Sequence, residues 1–395
     1  MIQDYKILYV SYTRSGRGDE VHTRQFMAAL EALHPRVVFH TPRLAENIHA
    51  LKQRRGTKAH GGADPLRELR YIGGVLLKRV REQWIVLRRE QPDVVIMRSC
   101  RYLSLVWLCR LLRIPIVLEV NAPMWERNLH PTGERFRPMT FWCWLEARLF
   151  ALADRVNVVS QPLNDYYYRY GLAPNRLTVV ANGVDICSFS PTRSGSAVRT
   201  RFNLEDKIVI GFIGSFAPWH GLDFLLRSLD RWAVDNPDQK DRMALLLVGH
   251  QTRQFRLPDV PGVPTVMIGK VPFEQVPDFM AAMDIITAPY PPIEPFYFSP
   301  LKVLEGMAMG KPVIASDQGQ ISELITHGYN GILYPAGDQW GFLNQLQRLI
   351  EDGELRSALG ANARHIIEKN FTWHINAKRV LEVCNRLIRQ KYNRY

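Results

Sequence analysis

Short apolar runs rich in β-branched residues alternate along the chain with longer stretches whose apolar residues recur every three or four positions. The short runs are typical of buried strands and the longer stretches of amphipathic helices. This alternation predicts a parallel sheet with helices on both faces. In the first half it predicts strands at residues 6–11, 36–40, 94–98, 116–120, 156–160 and 177–181, and helices at 21–33, 76–90, 102–112 and 141–153.

The alternation stops at a stretch rich in Pro, Gly and Ser, residues 189–196, and then restarts. In the second half it predicts strands at residues 208–213, 244–248, 265–269, 285–288, 312–316 and 331–334, helices at 222–234, 273–282, 300–309, 321–327 and 340–352, and one or two helices over 361–390. The simplest architecture is α/β, with two doubly wound domains that face each other across a cleft. We expect an N-terminal domain at residues 1–190, a C-terminal domain at 191–370 and a final helix at 371–395.

Composition narrows the class of protein. With 395 residues, 46% hydrophobic and 23% charged, the chain has the composition of a multidomain globular protein. Its five cysteines form no CxxC pair, which argues against a disulfide framework or structural zinc and favours a reducing compartment. The sequence shows no signal peptide and no apolar stretch of the roughly 20 residues that a membrane span needs. We therefore expect a cytoplasmic protein, either free or peripheral on the inner face of the membrane.

The net charge of +13 predicts anionic partners. Most of the excess lies in residues 50–113, which hold fifteen Lys and Arg and five acidic residues. Because the apolar residues 84–87 lie among these charges, we interpret the region as a surface for anionic lipid headgroups or polyphosphorylated acceptors. A merely solvated basic face is the alternative. The aromatic cluster that includes Phe141 and Trp144 is predicted to be a buried helix face, not a membrane anchor.

Ligand sites in open parallel sheets lie beyond the C-terminal ends of the strands. After the first strand, Gly16 and Gly18 flank Arg17 just before a helix, where backbone N–H groups and the helix dipole favour an anion. A flexible turn explains the same glycines equally well. After the fourth strand, Asn121 and Glu126 are candidate polar ligands, although Asn121 also fits a turn cap.

The strongest local feature of the second half is GFIGSFAPWHGLDFLL, residues 211–226, which starts within its first strand. The strand ends at Gly214, a tight loop follows, and a helix begins near Gly221. Ser215, His220 and the free N–H groups of that helix form a candidate phosphate site. Trp219 fits the core better than a stacking platform.

A second candidate helix start lies in FSPLKVLEGMAMG. Ser299 fits an N-cap and Pro300 the first helical position, with Leu301 following. Lys302 lies at the N-terminal end of the helix, where the helix dipole disfavours a cation. This position is best explained if an anion binds between the Lys302 ammonium and the helix N-terminus. Glu305, one turn beyond Leu301, is placed to accept two hydroxyls of a ribose or sugar. A solvated helix face is the plainer alternative.

The sequence lacks several other functional motifs. It contains no P-loop, HExxH, DxD pair or GxSxG elbow, so we assign no metal ligands and expect a metal-independent mechanism. It also lacks a helix-turn-helix, an RNA-binding aromatic motif or a zinc module, so nucleic acid is not an expected partner.

Taken in order, these loops resemble the retaining glycosyltransferases of glycosyltransferase family 4, which have the GT-B fold of two Rossmann-like domains. The resemblance covers nearly the whole chain, and a WHG loop with an SPLK-type helix start brings it closest to the transferases of bacterial cell-surface polysaccharide assembly. It rests on the glycine loop with Glu20, Val21 and His22, on residues 153–156 leading to 159–160, on Asn182 to Asp185 with Phe189 and Pro191, on Gly214 to Gly221, on Glu305 to Ala308 with Gly310, Pro312 and Val313, and on Asn330-Gly331 with Pro335, Gly337 and Asp338.

The resemblance implies retaining transfer of a sugar from a nucleotide-sugar donor, without a further cofactor, to a glycan or lipid-linked acceptor. It also implies that the C-terminal domain holds the nucleotide. Glu305 matches the second glutamate of the family's E-x7-E motif, which binds the ribose, and residues 298–301 would offer N–H groups to the diphosphate. Gly269 to Val271 would lie near the base, and the glycine loop would approach the phosphates from the other domain. The helix over 371–390 would cross back onto the N-terminal domain.

The chain departs from the family pattern at several positions. Ser215 and His220 stand where many members carry Arg and Lys diphosphate clamps, and Tyr297 stands at the first glutamate of E-x7-E. Asn121 lies in the region where a histidine is common. Lys302 is then expected to replace one lost clamp.

The mechanism that the resemblance implies is electrostatic. The charge developing on the leaving nucleoside diphosphate would be stabilised by helix N-termini, Lys302, a protonated His220 and Arg17. Same-face attack, with the departing phosphate deprotonating the acceptor hydroxyl, needs no enzyme nucleophile, and none is assigned. A GT-B-fold sugar-nucleotide epimerase and a catalytically degenerate nucleotide-sugar-binding scaffold are the alternatives. The sequence leaves the base, sugar, acceptor, linkage and oligomeric state open.

Overall fold

A computed structural model of the protein describes residues 4–12, 18–42, 65–98, 103–124, 139–250, 262–297 and 299–393. The described residues form two six-stranded sheets, in which all paired strands are parallel. The first sheet consists of β1 (Ile7–Val10), β2 (Val37–His40), β3 (Val94–Arg98), β4 (Ile116–Val120), β5 (Arg155–Val158) and β6 (Leu177–Val179). The second consists of β7 (Ile208–Ile213), β8 (Met243–Val248), β9 (Thr265–Ile268), β10 (Ile285–Ala288), β11 (Val313–Asp317) and β12 (Ile332–Pro335).

Helices connect and cover the strands. Those of the first half are α1 (Gly18–Leu33), α2 (Pro65–Glu90), α3 (Ser104–Leu111), α4 (Met139–Phe150) and α5 (Gln161–Arg169). Those that follow are α6 (Ser196–Phe202), α7 (Leu222–Asp235), α8 (Val276–Ala281), α9 (Leu301–Ala308), α10 (Gln320–Leu324), α11 (Gln339–Glu351), α12 (Gly353–Asn370) and α13 (Trp373–Tyr392). Within the described residues, no helix is both long enough and apolar enough to cross a membrane.

The strand order places a crevice in each sheet. The first sheet runs β2-β1-β3-β4-β5-β6, and the second runs β12-β11-β10-β7-β8-β9, which is the Rossmann order. The order reverses between β1 and β3 in the first sheet and between β7 and β10 in the second. Ligands of doubly wound sheets bind beyond the strand ends at such a reversal. The loops after β7 and β10 are therefore the expected ligand loops of the second sheet.

Burial of the strands explains why the alternation was readable in the sequence. β1 and β8 are buried along their whole length, as expected for central parallel strands with helices on both faces. The edge strand β2 is only half-buried. In α7, leucines at 222, 225, 226 and 229 recur at helical spacing and are all buried.

The predicted elements are largely confirmed. Each predicted strand is found within two residues of its expected bounds, and the fold is the expected pair of facing doubly wound domains. Two helices were not predicted. α5 was missed because it is short, its buried face of Leu163, Tyr166 and Tyr167 contains two tyrosines, which are common in strands, and it begins right after Ser160, where the sequence predicts the end of a strand. α6 was missed because it lies beside the Ser- and Gly-rich linker.

The prediction that the aromatic cluster of α4 is buried is wrong for Phe141 and Trp144, which are exposed. α4 covers the first sheet with Cys143, Ala147 and Phe150, which are buried. Residues 141 and 144 lie on the opposite side of that helix, so they point away from the core.

The last helix crosses back onto the first half of the chain, as expected. Trp373 begins α13, its indole Nε1 donates to Gln25 Oε1 of α1 at 2.7 Å, and α13 shares one core with α1 and β1. A β-bridge joins Val184 to Thr372 at the crossing point. Gly183 packs so closely there that a Cβ would lie 2.4 Å from the Trp373 backbone nitrogen.

The crossing predicts a large effect of Trp373→Ala. The ring is buried and hydrogen-bonded, so its loss should lower the free energy of unfolding by about 3–5 kcal/mol, measured by chemical denaturation. Trp340→Ala on α11 is the matched control, because that ring is 71% exposed, and it should cost less than about 0.5 kcal/mol. Equal losses in the two variants would contradict the proposed role of Trp373.

Candidate functional site

A cavity of about 400 Å³ lies between the two halves of the protein. One wall comes from α1 and the start of α13, and the other from the ends of β7 and β10 and from α9. The chain that connects the halves completes it. Its described lining residues are Val21, His22, Gln25, Gly183, Val184, Phe189, Ile213, Gly214, His220, Phe273, Val276, Tyr290, Ser299, Leu301, Lys302, Glu305 and Trp373.

The loop after β7 brings two basic side chains together at a glycine. Gly214 has φ +135°, a conformation that L side chains rarely adopt. A Cβ at Gly214 would lie 3.3 Å from His220 Nδ1 and 3.5 Å from Lys302 Nζ. Gly221, with φ +74°, ends the loop so close to the second ligand loop that a Cβ would overlap the Pro289 carbonyl. The two glycines therefore let the β7 and β10 loops close around one point.

Lys302 is the most unusual side chain of the cavity. It is 6% exposed, and its Nζ has no hydrogen-bond partner among the described residues. The ammonium lies 4.1 Å from the ring centroid of Phe212 and 5.0 Å from that of Tyr290, which stabilises it in part. Burial lowers the pKa of Lys302 to about 7, against the opposing charge of Glu305. A buried cation without a partner is costly, so this one is suited to receive an anion.

Glu305 lies one helical turn beyond Leu301 and lines the same cavity. Burial raises the pKa of Glu305 to about 8, although the charge of Lys302 opposes the shift. A protonated carboxyl both donates and accepts hydrogen bonds. Glu305 is therefore suited to bind hydroxyl groups at neutral pH.

The expected cap of α9 is wrong in detail. The helix begins at Leu301, and Pro300 occupies the N-cap with φ −80° and ψ 81°, so it is not the first helical residue. Ser299 lies one position too early to cap the helix, and its buried hydroxyl has no partner among the described residues. No side chain of the described residues caps the helix, and Ser299 lines the cavity instead.

The structure brings six of the predicted site residues together. Those that line the cavity are Gly214, His220, Ser299, Leu301, Lys302 and Glu305. Those that do not are Asn121, Ser215, Gly221, Gly269, Val271 and Pro300. Gly18 begins α1, whereas Gly16, Arg17 and Glu126 lie outside the described residues. The backbone of Gly269 is exposed beside open space, and Val271 packs on the core.

Sequence reasoning missed the opposite wall. His22 and Trp373 line the cavity with their ring centroids 4.5 Å apart, edge to face. In the sequence, His22 stands out only as part of the motif that follows the glycine loop, and Trp373 only as part of the predicted final helix. Both contacts join residues far apart in the chain, so no local pattern marked them.

A partly buried carboxylate holds His22 in place. Glu119, at the end of β4, accepts from His22 Nε2 at 3.0 Å, from Arg98 Nη1 at 2.5 Å and from Asn121 Nδ2 at 3.1 Å. Burial disfavours the charge of Glu119, but Arg98 and His22 outweigh it and lower the pKa of Glu119 to about 2. Asn121 therefore supports Glu119 rather than lining the cavity.

The described residues contain no cluster of three or more His, Cys, Asp or Glu side chains arranged to hold a metal ion. The basic side chains among the described residues that line the cavity are Lys302 and His220 on one wall and His22 on the other. Lys302, in the first turn of α9, and His220 are suited, together with the N–H groups of that turn, to an anionic ligand.

Residues 16–187 match the profile of the family described as Glycosyltransferase Family 4, and residues 207–352 match that described as Glycosyl transferases group 1. The chain therefore belongs to the family 4, group 1 glycosyltransferases. Its fold is similar to that of HepE from Anabaena, crystallised with UDP, with a TM-score of 0.72 at 21% identity over 96% of this chain and 100% of that one. It is also similar to that of sucrose-phosphate synthase from Thermosynechococcus elongatus, with a TM-score of 0.71 at 19% identity over 98% and 100%.

Curated relatives match over part of their length. The D-inositol 3-phosphate glycosyltransferase of Streptosporangium roseum is 30% identical over 251 residues, which is 60% of this chain and 56% of that protein. The uncharacterized glycosyltransferase MJ1069 of Methanocaldococcus jannaschii is 25% identical over 252 residues, 61% of this chain and 60% of that protein. The matched segment thus spans less than two thirds of either relative.

The Glu119 network predicts a pH-dependent stability. Glu119→Gln should lower the free energy of unfolding by about 3 kcal/mol at neutral pH, because it leaves Arg98, whose side chain is only 12% exposed, without its counter-ion. The pKa of Glu119 is lower in the folded state, so its contribution is complete above about pH 4.5 and is lost as the pH falls towards 2. Denaturant titrations between these pH values should show that the free energy of unfolding falls more steeply with decreasing pH for the wild type than for the variant.

Glu368→Gln is the control, since that carboxylate is exposed and pairs with Arg364 at 2.7 Å. It should change stability by less than about 1 kcal/mol. Parallel pH curves for wild type and Glu119→Gln would show that Glu119 carries no such charge-dependent stability.

Proposed function

We propose that the protein is a retaining glycosyltransferase that moves a sugar from a nucleotide-sugar donor to a glycan or lipid-linked acceptor in surface polysaccharide biosynthesis, without a metal ion. The observation that carries the proposal is the buried ammonium of Lys302, which has no hydrogen-bond partner among the described residues and lies at the start of α9, where no described side chain caps the helix. Family membership supports the reaction class, and HepE, of similar fold, was crystallised with UDP and with UDP-glucose.

The donor is proposed to lie in the half of the cleft formed by the second sheet. Its diphosphate would lie at Gly214, between Lys302 and His220, at the reversal of strand order between β7 and β10. Glu305 would bind the ribose hydroxyls. The base would lie near Gly269, where a Cβ would have no heavy atom of the described residues within 4 Å.

Catalysis would come from charge stabilisation. As the bond between sugar and phosphate breaks, negative charge develops on the leaving diphosphate, and fixed cations there lower the barrier. Glu305 is the sole carboxylate among the described residues that line the cavity, and because its pKa is raised to about 8 it is mostly protonated at neutral pH and is not available as a nucleophile. The acceptor hydroxyl would therefore attack from the face of the departing phosphate, which takes its proton.

The acceptor is proposed to enter from the wall formed by α1 and α13. The lining residues of that wall include His22, Gln25 and Trp373, and polar and aromatic groups of this kind bind sugar hydroxyls and rings.

The location of the protein is proposed to be cytoplasmic. Among the described cysteines, Cys109, Cys143, Cys187 and Cys384 are free thiols, which supports this location.

A thermal-shift screen against UDP, GDP, ADP, CDP and TDP, with Mg²⁺ or with EDTA, tests the proposal. One diphosphate at 100 times its dissociation constant should stabilise the protein by about 2.7 kcal/mol in EDTA. No shift with any nucleotide would contradict the donor site. A shift without transfer to any acceptor would favour the scaffold, and interconversion of the donor sugar without an acceptor would favour the epimerase.

Nucleotide binding should be coupled to proton uptake through Lys302. In the empty cavity the pKa values of Lys302 and Glu305 are about 7 and 8, and the negative charge of a bound diphosphate raises both. Nucleotide binding at about pH 8 should therefore be accompanied by uptake of protons. Calorimetry in buffers of different ionisation enthalpy measures this uptake. Lys302→Met should reduce it and weaken binding roughly 10- to 100-fold.

Lys311→Met is the matched control, because Lys311 is a partly buried lysine whose Nζ donates to the Ala281 carbonyl at 2.9 Å, away from the cavity. It should leave both affinity and proton uptake unchanged. If Lys302→Met behaved like this control, Lys302 would not contact the diphosphate.

His220→Lys should retain activity and lose less of it at alkaline pH. Lysine keeps its charge to a higher pH than imidazole, so the diphosphate would keep its second cation. The measurement is the pH profile of kcat/KM in both proteins. An unchanged profile would remove His220 from the diphosphate site.

A further inference from the structure

One layer of helices on the first sheet presents an unusual outer surface. α2, α3 and α4 pack on one face of the sheet, in a single core with Leu8, Val95 and Leu118. α1 and α13 cover the other face. The outer sides of α2, α3 and α4 are therefore one continuous layer that the cavity does not use, and we refer to it as the outer layer.

The exposed stripe of α2 mixes apolar and basic side chains. Leu77 is 72% exposed and Ile85 49%, although both are large and apolar. Lys78, Arg81 and Arg88 are exposed on the same stripe, because positions 77, 81, 85 and 88 follow one another at spacings of four, four and three, and Lys78 lies three positions before Arg81. The stripe is thus apolar and cationic at once.

α3 repeats the arrangement. Trp107 is 57% exposed and Leu111 72%, with the exposed Arg110 between them at helical spacing. α2 packs against α3, and Arg110 Nη1 donates to the Leu152 carbonyl just beyond α4. The three helices are therefore neighbours.

α4 adds two aromatic rings. Phe141 is 49% exposed and Trp144 43%, and the guanidinium of the exposed Arg148 lies 5.3 Å from the Trp144 ring. Six large apolar side chains are thus exposed on three adjacent helices. Single exposed apolar residues are ordinary, but a contiguous group marks a contact surface.

The positive charge of the outer layer is not balanced by acids. The exposed positions described on α2, α3 and α4 include no Asp or Glu. Glu82 and Glu90 of α2 are partly buried: Glu82 pairs with His40 and Arg79, and Glu90 pairs with Lys6 and with the exposed Arg89. Lys78, Arg81, Arg88, Arg110 and Arg148 therefore face outward together.

We propose that the outer layer docks on the surface of a bilayer that contains anionic lipids, with Trp107, Leu111, Phe141 and Trp144 inserted at the headgroup level. Helices that lie in a membrane surface combine aromatic and aliphatic residues with Lys and Arg in this way. A nucleic acid would attract the cations of the outer layer, but it would not bury the exposed Leu and Ile side chains. The inference does not depend on the proposed reaction, because docking needs neither donor nor acceptor.

Co-sedimentation with large unilamellar vesicles tests the proposal without any sugar substrate. The protein should bind vesicles of phosphatidylcholine with phosphatidylglycerol, and binding should weaken with added salt and with pure phosphatidylcholine. Arg81→Gln with Arg88→Gln should weaken binding about fivefold per cation. The control pair is Arg227→Gln with Arg231→Gln on α7, two exposed arginines that should change nothing.

The aromatic insertion is tested separately. Trp107→Ser with Trp144→Ser should lower vesicle affinity roughly tenfold while nucleotide thermal shifts stay at the wild-type size. Trp340→Ser, at an even more exposed ring on α11, is the control and should bind vesicles as the wild type does.

Three results would overturn the proposal. The first is equal binding to neutral and anionic vesicles, or no binding to either. The second is a dimer in light scattering that the Trp107 and Trp144 changes dissociate, which would make the layer an interface between two copies of the chain. The third is salt-sensitive binding to duplex DNA that competes with vesicle binding and whose affinity is unchanged by the Trp107 and Trp144 substitutions.

Discussion

The burial of the Lys302 ammonium is the constraint around which the C-terminal side of the cleft is organised. The aromatic rings of Phe212 and Tyr290 and the neighbouring Glu305 offset part of its cost, but no hydrogen bond from the described residues does. Gly214 has no side chain to separate Lys302 from His220. An anion that enters here gains two basic groups and the open end of α9 at once, so the site is organised before its ligand arrives.

The opposite wall depends on a different constraint. It is built by α1, which belongs to the first sheet, and by α13, which returns from the second half of the chain. Glu119 fixes His22 through a charge network within the first half, and the His22 ring rests against Trp373 from the end of the chain. The same crossing that joins the two halves therefore shapes the surface that faces the donor side. Stability of the crossing and recognition of the acceptor are expected to be linked for this reason.

Much of the fold was predictable because parallel strands with both faces covered are continuous apolar runs, and such runs are visible without tertiary information. Lys302, His220 and Glu305 were predictable because they lie in local helix-start patterns with unusual chemistry. Trp373 and His22 were not, because their partners lie 348 and 97 positions away in the chain. The exposure of Phe141 and Trp144 was also mispredicted. An aromatic cluster in a helix predicts a buried face, because the sequence alone does not show which side of the helix packs on the sheet.

The central claim is that protein cations, and not a metal, bind the second phosphate of a nucleotide in this cleft. The most direct measurement is calorimetric titration, in EDTA, of the nucleoside, monophosphate and diphosphate of the preferred base into wild type and Lys302→Met. The account predicts that the wild type binds the diphosphate at least about tenfold more tightly than the monophosphate, and that the variant loses most of this difference. Equal affinities for the two nucleotides in the wild type, or an undiminished difference in the variant, would contradict it.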